Sequence, residues 1–174
     1  MMWTKVFLYF FLICFVSLIL AQDETREFKS PAPLNDTFLK WMVGEWRGIT
    51  ESAMGASNDW MKCELALGGQ FLLIHYKSEI EGGAVATGMG ALTINREGKM
   101  VGIWIDSWRT ISQGIGKHDS TGSTMEWTTP GMGTQIRIME KIGADNFRTI
   151  MKMKDKDGKE TQAYSEMRRV KKTE

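Results

Sequence analysis

The sequence predicts an all-β protein: one antiparallel meander of about ten strands closed into a single barrel, with a short helix before it. Three observations carry this expectation. Runs of strand length, rich in aromatic and β-branched residues, follow one another between Gly44 and Val170. Turn signals separate them at near-regular intervals with one longer gap: Gly68-Gly69, Gly82-Gly83, Asn95 to Gly98, Asp119 to Gly122, Pro130-Gly131, Gly143 to Asn146 and Asp155 to Gly158. Such turns pass through positive φ, where Gly, Asn and Asp cost least, so the cadence is that of successive hairpins. An open sheet of that many strands would leave two unpaired edges, and closure removes both.

The elements follow in order. Lys5 is the only charge before Asp23, Val6 to Leu20 is apolar apart from Ser17, and Ala21 is a small residue at a plausible cut. Residues 1–21 therefore read as a signal peptide, because the apolar run is shorter than the about 20 residues of a membrane span. A retained anchor is the alternative. An exported protein, periplasmic or extracellular, with no stable membrane insertion after signal removal, is the expectation. Residues 22–33 are charged and carry Pro31 and Pro33, as a flexible mature N-terminus would. Residues 34–172 are the barrel domain. Leu34 to Val43 is the helical candidate, capped by Asn35 or Asp36 and stopped by Gly44. The expected strands are 44–51, 59–67, 71–77, 84–94, 100–108, 110–117, 124–128, 134–142, 147–153 and 160–170. The Gly-rich run 84–94 suits a bend or a close approach of another group to the backbone.

Removing the signal leaves about 150 residues, enough to bury a core. The chain carries 22 basic and 21 acidic residues; losing Lys5 equalises them, so no net charge steers the protein to nucleic acid or an anionic surface. Cys63 is the one cysteine left after the signal, so an internal disulfide is excluded, and its alternation with Met61 and Leu65 reads as a small buried hydrophobe. There are two histidines, His75 and His118. A three-His metal site is excluded, His118 beside Asp119 reads as a solvated turn residue, and neither metal nor cofactor is expected. Methionines are spread over nearly every strand, the pattern of core filler. Asp155 to Glu160 fails as a Ca²⁺ loop, since Met153 and Tyr164 fall where acidic ligands are required. Asn35-Asp-Thr37 fits a glycosylation acceptor, a motif common by chance. No nucleophile elbow or phosphate loop is present, so no catalytic residue is assigned.

Gly44-Glu-Trp46 stands after the helix and before the β cadence. Gly44 permits tight packing of helix on strand, and Trp46 points the same way and can plug one end. The motif is similar to that of lipocalin and fatty-acid-binding barrels, in which a basic residue near the last strand stacks on the indole; Arg168 or Arg169 is the matching candidate. Leu39 to Trp46, Leu67-Gly-Gly-Gln-Phe-Leu72, Trp104-Ile-Asp-Ser107, and Asp157-Gly158 with Glu160 add to this. Over roughly residues 36–170 the chain resembles a bacterial family of exported, lipocalin-like (calycin-type) β-barrels, a domain of unknown function. The resemblance implies the barrel and carries no catalytic residues with it.

Trp104-Ile-Asp-Ser-Trp-Arg109 is the richest local constellation. Trp104, Asp106 and Trp108 share one strand face and Ile103 and Ile105 the other. If the first face looks inward, two indoles and a carboxylate make a ligand platform, and the carboxylate then needs Arg109 or Arg137 as partner. If the isoleucines look inward, the tryptophans cover an outer surface. The expected function is binding of a hydrophobic or amphipathic small molecule, with His75, Trp104, Asp106, Trp108 and Arg137 as the lining. Two alternatives stay open: an interaction barrel with no small ligand, acting through a patch around Trp60, Trp108 or Trp127, and an enzyme using Asp106, His75 and Glu126 at the mouth.

Overall fold

A computed structural model of the protein describes residues 31–155 and 157–171. The expected signal peptide and most of the expected N-terminal tail lie outside the described residues. The short helix α1 spans Thr37–Met42. Asp36 caps it by accepting a hydrogen bond from the Leu39 N–H at 2.8 Å, which satisfies one of the free donors of the first turn. Val43 leaves the helix in extended conformation, and Gly44 makes the turn into the sheet at φ 131°.

Ten strands follow: β1 Gly44–Ser52, β2 Gly55–Ala66, β3 Phe71–Ile80, β4 Val85–Ile94, β5 Met100–Asp106, β6 Ile111–His118, β7 Gly122–Thr129, β8 Gly133–Lys141, β9 Asn146–Lys154 and β10 Glu160–Arg169. Each pairs with its neighbours in sequence, and β1 pairs antiparallel with β10, so the sheet is a closed lipocalin-like barrel. The described residues from Ala32 onward form one compact unit. β2 begins four residues before its expected start. Gly55, at φ 103°, opens it, and Ser52 ties the hairpin by donating to the Gly55 carbonyl and accepting from the Met54 N–H. Gly55-Ala-Ser-Asn58 reads as loop in composition, and pairing with β1 overrides that preference.

Side chains alternate strictly in and out. Even-numbered residues of β1, β3, β4, β5 and β6 face the interior, and odd-numbered residues of β2, β7, β8, β9 and β10 do so. The two ends of the barrel differ. At the end where β1 begins, α1 lays Phe38, Leu39 and Met42 over the opening, and Trp46, Leu72, Met100 and Phe147 fill the space beneath. Burying each of these large side chains contributes about 1.5–3 kcal/mol. Trp46 is fully buried and its indole N–H donates to the Met42 carbonyl at 2.8 Å.

His118 belongs to this closed end and is not a solvated turn residue. Its Nε2 lies 2.6 Å from Asp36 Oδ2, and its side chain is only 10% exposed. The same aspartate thus caps α1 and ties the helix to the end of β6.

Candidate functional site

Above the packed end the barrel is hollow. A cavity of about 300 Å³ runs from mid-barrel to the end opposite α1, where Met54, Gly55 and Trp108 form part of the rim. It lies at the lower limit of the about 300–1,000 Å³ typical of small-molecule pockets. The methionine wall comes from β8, β9 and β10, as Met139, Met151, Met153 and Met167. The wall adjoining it, from β1, β2 and β3, is hydroxylated by Thr50, Ser57, Tyr76 and Ser78.

Trp104 is held by absence. An added Cβ at Gly88 would stand 2.4 Å from its ring, and one at Gly90 2.8 Å. These two inward glycines of β4 make the shelf on which the indole lies. Trp127 rests likewise on Gly114 of β6, where a Cβ would come within 2.7 Å of the ring. Trp104 meets Tyr76 edge-on at 5.9 Å. The Arg137 guanidinium lies near both indoles, its Cζ 5.8 Å from the Trp104 ring and 5.7 Å from the Trp127 ring.

Arg137 lines the cavity and is otherwise enclosed by protein, and burial pulls its proton affinity below the usual arginine range. A guanidinium stays charged in proteins nonetheless. Its side-chain hydrogen bond among the described residues runs from Nη2 to Gln135 Oε1 at 3.3 Å, and its Nε has no partner. No carboxylate of the described residues comes within ion-pair distance of it.

A second interior charge was not foreseen. Asp59 is buried at 4% exposure. It accepts hydrogen bonds from Ser57 at 2.9 Å, from Ser78 at 2.8 Å and from the Thr50 hydroxyl. Burial raises the Tyr76 phenol well above its ordinary pKa, and the Asp59 charge raises it further. The signal was present: Asp59 shares the alternation of Met61 and Cys63.

The strand parity left open at Trp104-Trp108 is resolved with the tryptophan face inward; Ile103 and Ile105 are on the outer surface. Trp104, Asp106, Trp108 and Arg137 all line the cavity. Asp106 is paired with neither Arg109 nor Arg137. It closes the β5–β6 turn at the rim, accepting from the Trp108 N–H at 3.0 Å, the Thr110 N–H at 3.2 Å and the Thr110 hydroxyl. Arg109 is exposed at φ 64° within that turn.

His75 is not part of the lining. Ile74 and Tyr76 take the inward positions of β3, so His75 faces outward, its Nε2 3.7 Å from Glu64 Oε1. Glu126 is exposed on the outside of β7. The three acid–base groups of the enzyme alternative therefore share no pocket. Trp127 is buried inside, Trp108 stands at the mouth and Trp60 is half-buried on the outer face of β2, so they make no common patch. Among the described residues no cluster of three His, Cys, Asp or Glu could hold a metal ion.

At the closed end Arg169 lies over the Trp46 ring at 4.1 Å, whereas Arg168 is exposed and hydrogen-bonds Asn146. Arg169 Nη1 would lie 2.8 Å from a Cβ at Gly44, so this contact needs glycine there.

Residues 35–173 match the family described as protein of unknown function (DUF1579), and the chain belongs to that family. No curated protein sequence matches it. In fold it is similar to Rv2717c from M. tuberculosis, at 13% identity and a TM-score of 0.64, covering 76% of this chain and 95% of that one. It is also similar to the S-type phycobiliprotein lyase CPES from Guillardia theta, at 13% identity and a TM-score of 0.58, covering 78% of this chain and 92% of that one. At such identity the likeness is one of fold.

Proposed function

We propose that this DUF1579 barrel is an exported protein that binds a hydrophobic or amphipathic small molecule in its interior. The observation that carries the reading is the one-ended cavity. A barrel that served only as a surface would be expected to pack its interior to native density, since empty apolar space forfeits dispersion contacts. Here one end is packed and the other holds about 300 Å³, walled by methionines, an indole and a few hydroxyls. Methionine side chains adapt to irregular apolar shapes, and the polar groups can orient what they hold. Export rests on residues 1–21 and their plan of one basic residue, an apolar run and Ala21.

The test is a titration of the mature protein with a solvatochromic apolar dye, beside native mass spectrometry of protein from its own host. Saturable one-to-one binding is expected. Ala86→Trp, which places an indole into the lining near the rim, should weaken it at least tenfold. Dye binding that never saturates, or that Ala86→Trp leaves unchanged, overturns the interior site. Export is read separately: the secreted or periplasmic fraction should carry a chain beginning at Gln22, and a cytoplasmic chain retaining residues 1–21 refutes it.

A further inference from the structure

Between the rim, where Asp106 stands, and the closed end, where Arg169 stands, the described residues place two charges inside the barrel, Asp59 and Arg137, and they are compensated differently. Asp59 is compensated from within, by three hydroxyl donors on its own strand and on the strands either side. Arg137 is not. Its Nε is orphaned, its Nη2 makes one long bond to a neutral amide, and no described carboxylate pairs with it. A charge without an opposite partner in a half-buried, largely apolar setting is costly, and the face of an indole offsets only part of that cost. Two glycine shelves nevertheless place Trp104 and Trp127 near this guanidinium, and the strand's parity turns it into the cavity instead of out to solvent. The group is held ready and left unspent.

Resting on the reading of the cavity as a small-molecule site, we infer that its ligand is an amphipathic carboxylate whose head group is received by Arg137. A charge-assisted contact to a carboxylate would supply the partner the protein withholds. Arg137 stands midway along β8, level with Met151 and one inward position below Met153 of β9, so a ligand anchored there lays its apolar part past these two methionines toward the rim. At about 30 Å³ for a water-sized group, the cavity has room for on the order of ten methylene-sized groups. The occupant is therefore a medium-length chain or a compact ring acid. The Asp59 cluster, already satisfied, does not compete for the head group.

The probes are decanoate, decanol and decyltrimethylammonium, each titrated into the mature protein by calorimetry. Wild type should bind decanoate at least tenfold more tightly than decanol, and the cation most weakly. Arg137→Met should remove the decanoate preference and keep decanol binding, which shows that cavity and fold survive. Arg137→Gln reads the same ratio should the first variant fail to fold, and the wild-type ratio decides even if neither does. Equal wild-type affinity for decanoate and decanol, or tighter binding of the cation, overturns the head-group assignment and leaves the apolar cavity standing. Failure of all three to bind overturns the cavity reading with it.

Discussion

Arg169 shows what a partnered interior arginine looks like in this fold. Its Nη1 donates to the Val43 carbonyl at 2.5 Å, Nη2 to the Trp41 carbonyl at 2.7 Å and Nε to Asp145 at 3.1 Å, while its plane covers Trp46. These bonds satisfy carbonyls at the end of α1, which no helical N–H can reach. They also fasten the helix to β10, so one residue seals the closed end. Arg169→Ala should therefore cost about 2–4 kcal/mol of unfolding free energy, from lost charge-assisted bonds and two stranded carbonyls. Arg169→Lys keeps a charge above Trp46 but lacks the planar fork, and should recover less than half of the loss. Arg168→Ala, exposed with one hydrogen bond to Asn146, should fall within about 0.5 kcal/mol of wild type. Urea midpoints at constant m-value decide the matter, and equal losses at 168 and 169 would contradict the assignment.

At the scale of elements, β4 is a strand whose missing side chains matter as much as those present. Gly88 and Gly90 are inward positions occupied by the Trp104 ring, the close approach that the Gly-rich run predicts. Gly88→Val would drive Trp104 off its shelf and into the cavity. The expected cost is about 1–3 kcal/mol, with at least a tenfold loss of dye affinity and a changed near-ultraviolet indole spectrum. Unchanged affinity and spectrum would mean that the shelf does not position the indole. Strand limits were legible because turns depend on local φ, which Gly, Asn and Asp report directly. The pairing of Trp104, Asp106 and Trp108 on one face was legible from alternation, yet which face looked inward was not. Isoleucine suits a pleated outer surface as well as a core, and Ile103 and Ile105 are outside. Asp59 was missed because composition assigns a lone aspartate to the surface, and its three donors lie on three different strands. His118 was misread for a related reason: its partner Asp36 is distant in sequence, and no local pattern announces that pairing.

The molecule as a whole is one continuous ladder without edges, because β1 closes on β10. Cys63 reports on that closure. It lies inward on β2 opposite Gly44 of β1 and Ile74 of β3, and it is 2% exposed. It lies at the end that α1 covers, so exposing it requires either lifting the helix off that end or parting a ladder of the ring, and both open the barrel. Burial pushes its thiol up to about 12 from an ordinary value of 9.0, with the Arg169 charge pulling weakly the other way. Between those limits the unfolded chain releases a proton that the folded chain keeps, so folding loses stability as pH rises. The contribution is complete below about pH 9 and is lost between about 9 and 12, by up to about 1.4 kcal/mol per pH unit. Cys63→Ala removes the titrating group and leaves every other one in place. Wild-type urea stability should therefore fall more steeply than that of Cys63→Ala from pH 9 to 11, and the two should run parallel below pH 8. Parallel curves throughout would show that the thiol reaches solvent without the barrel opening.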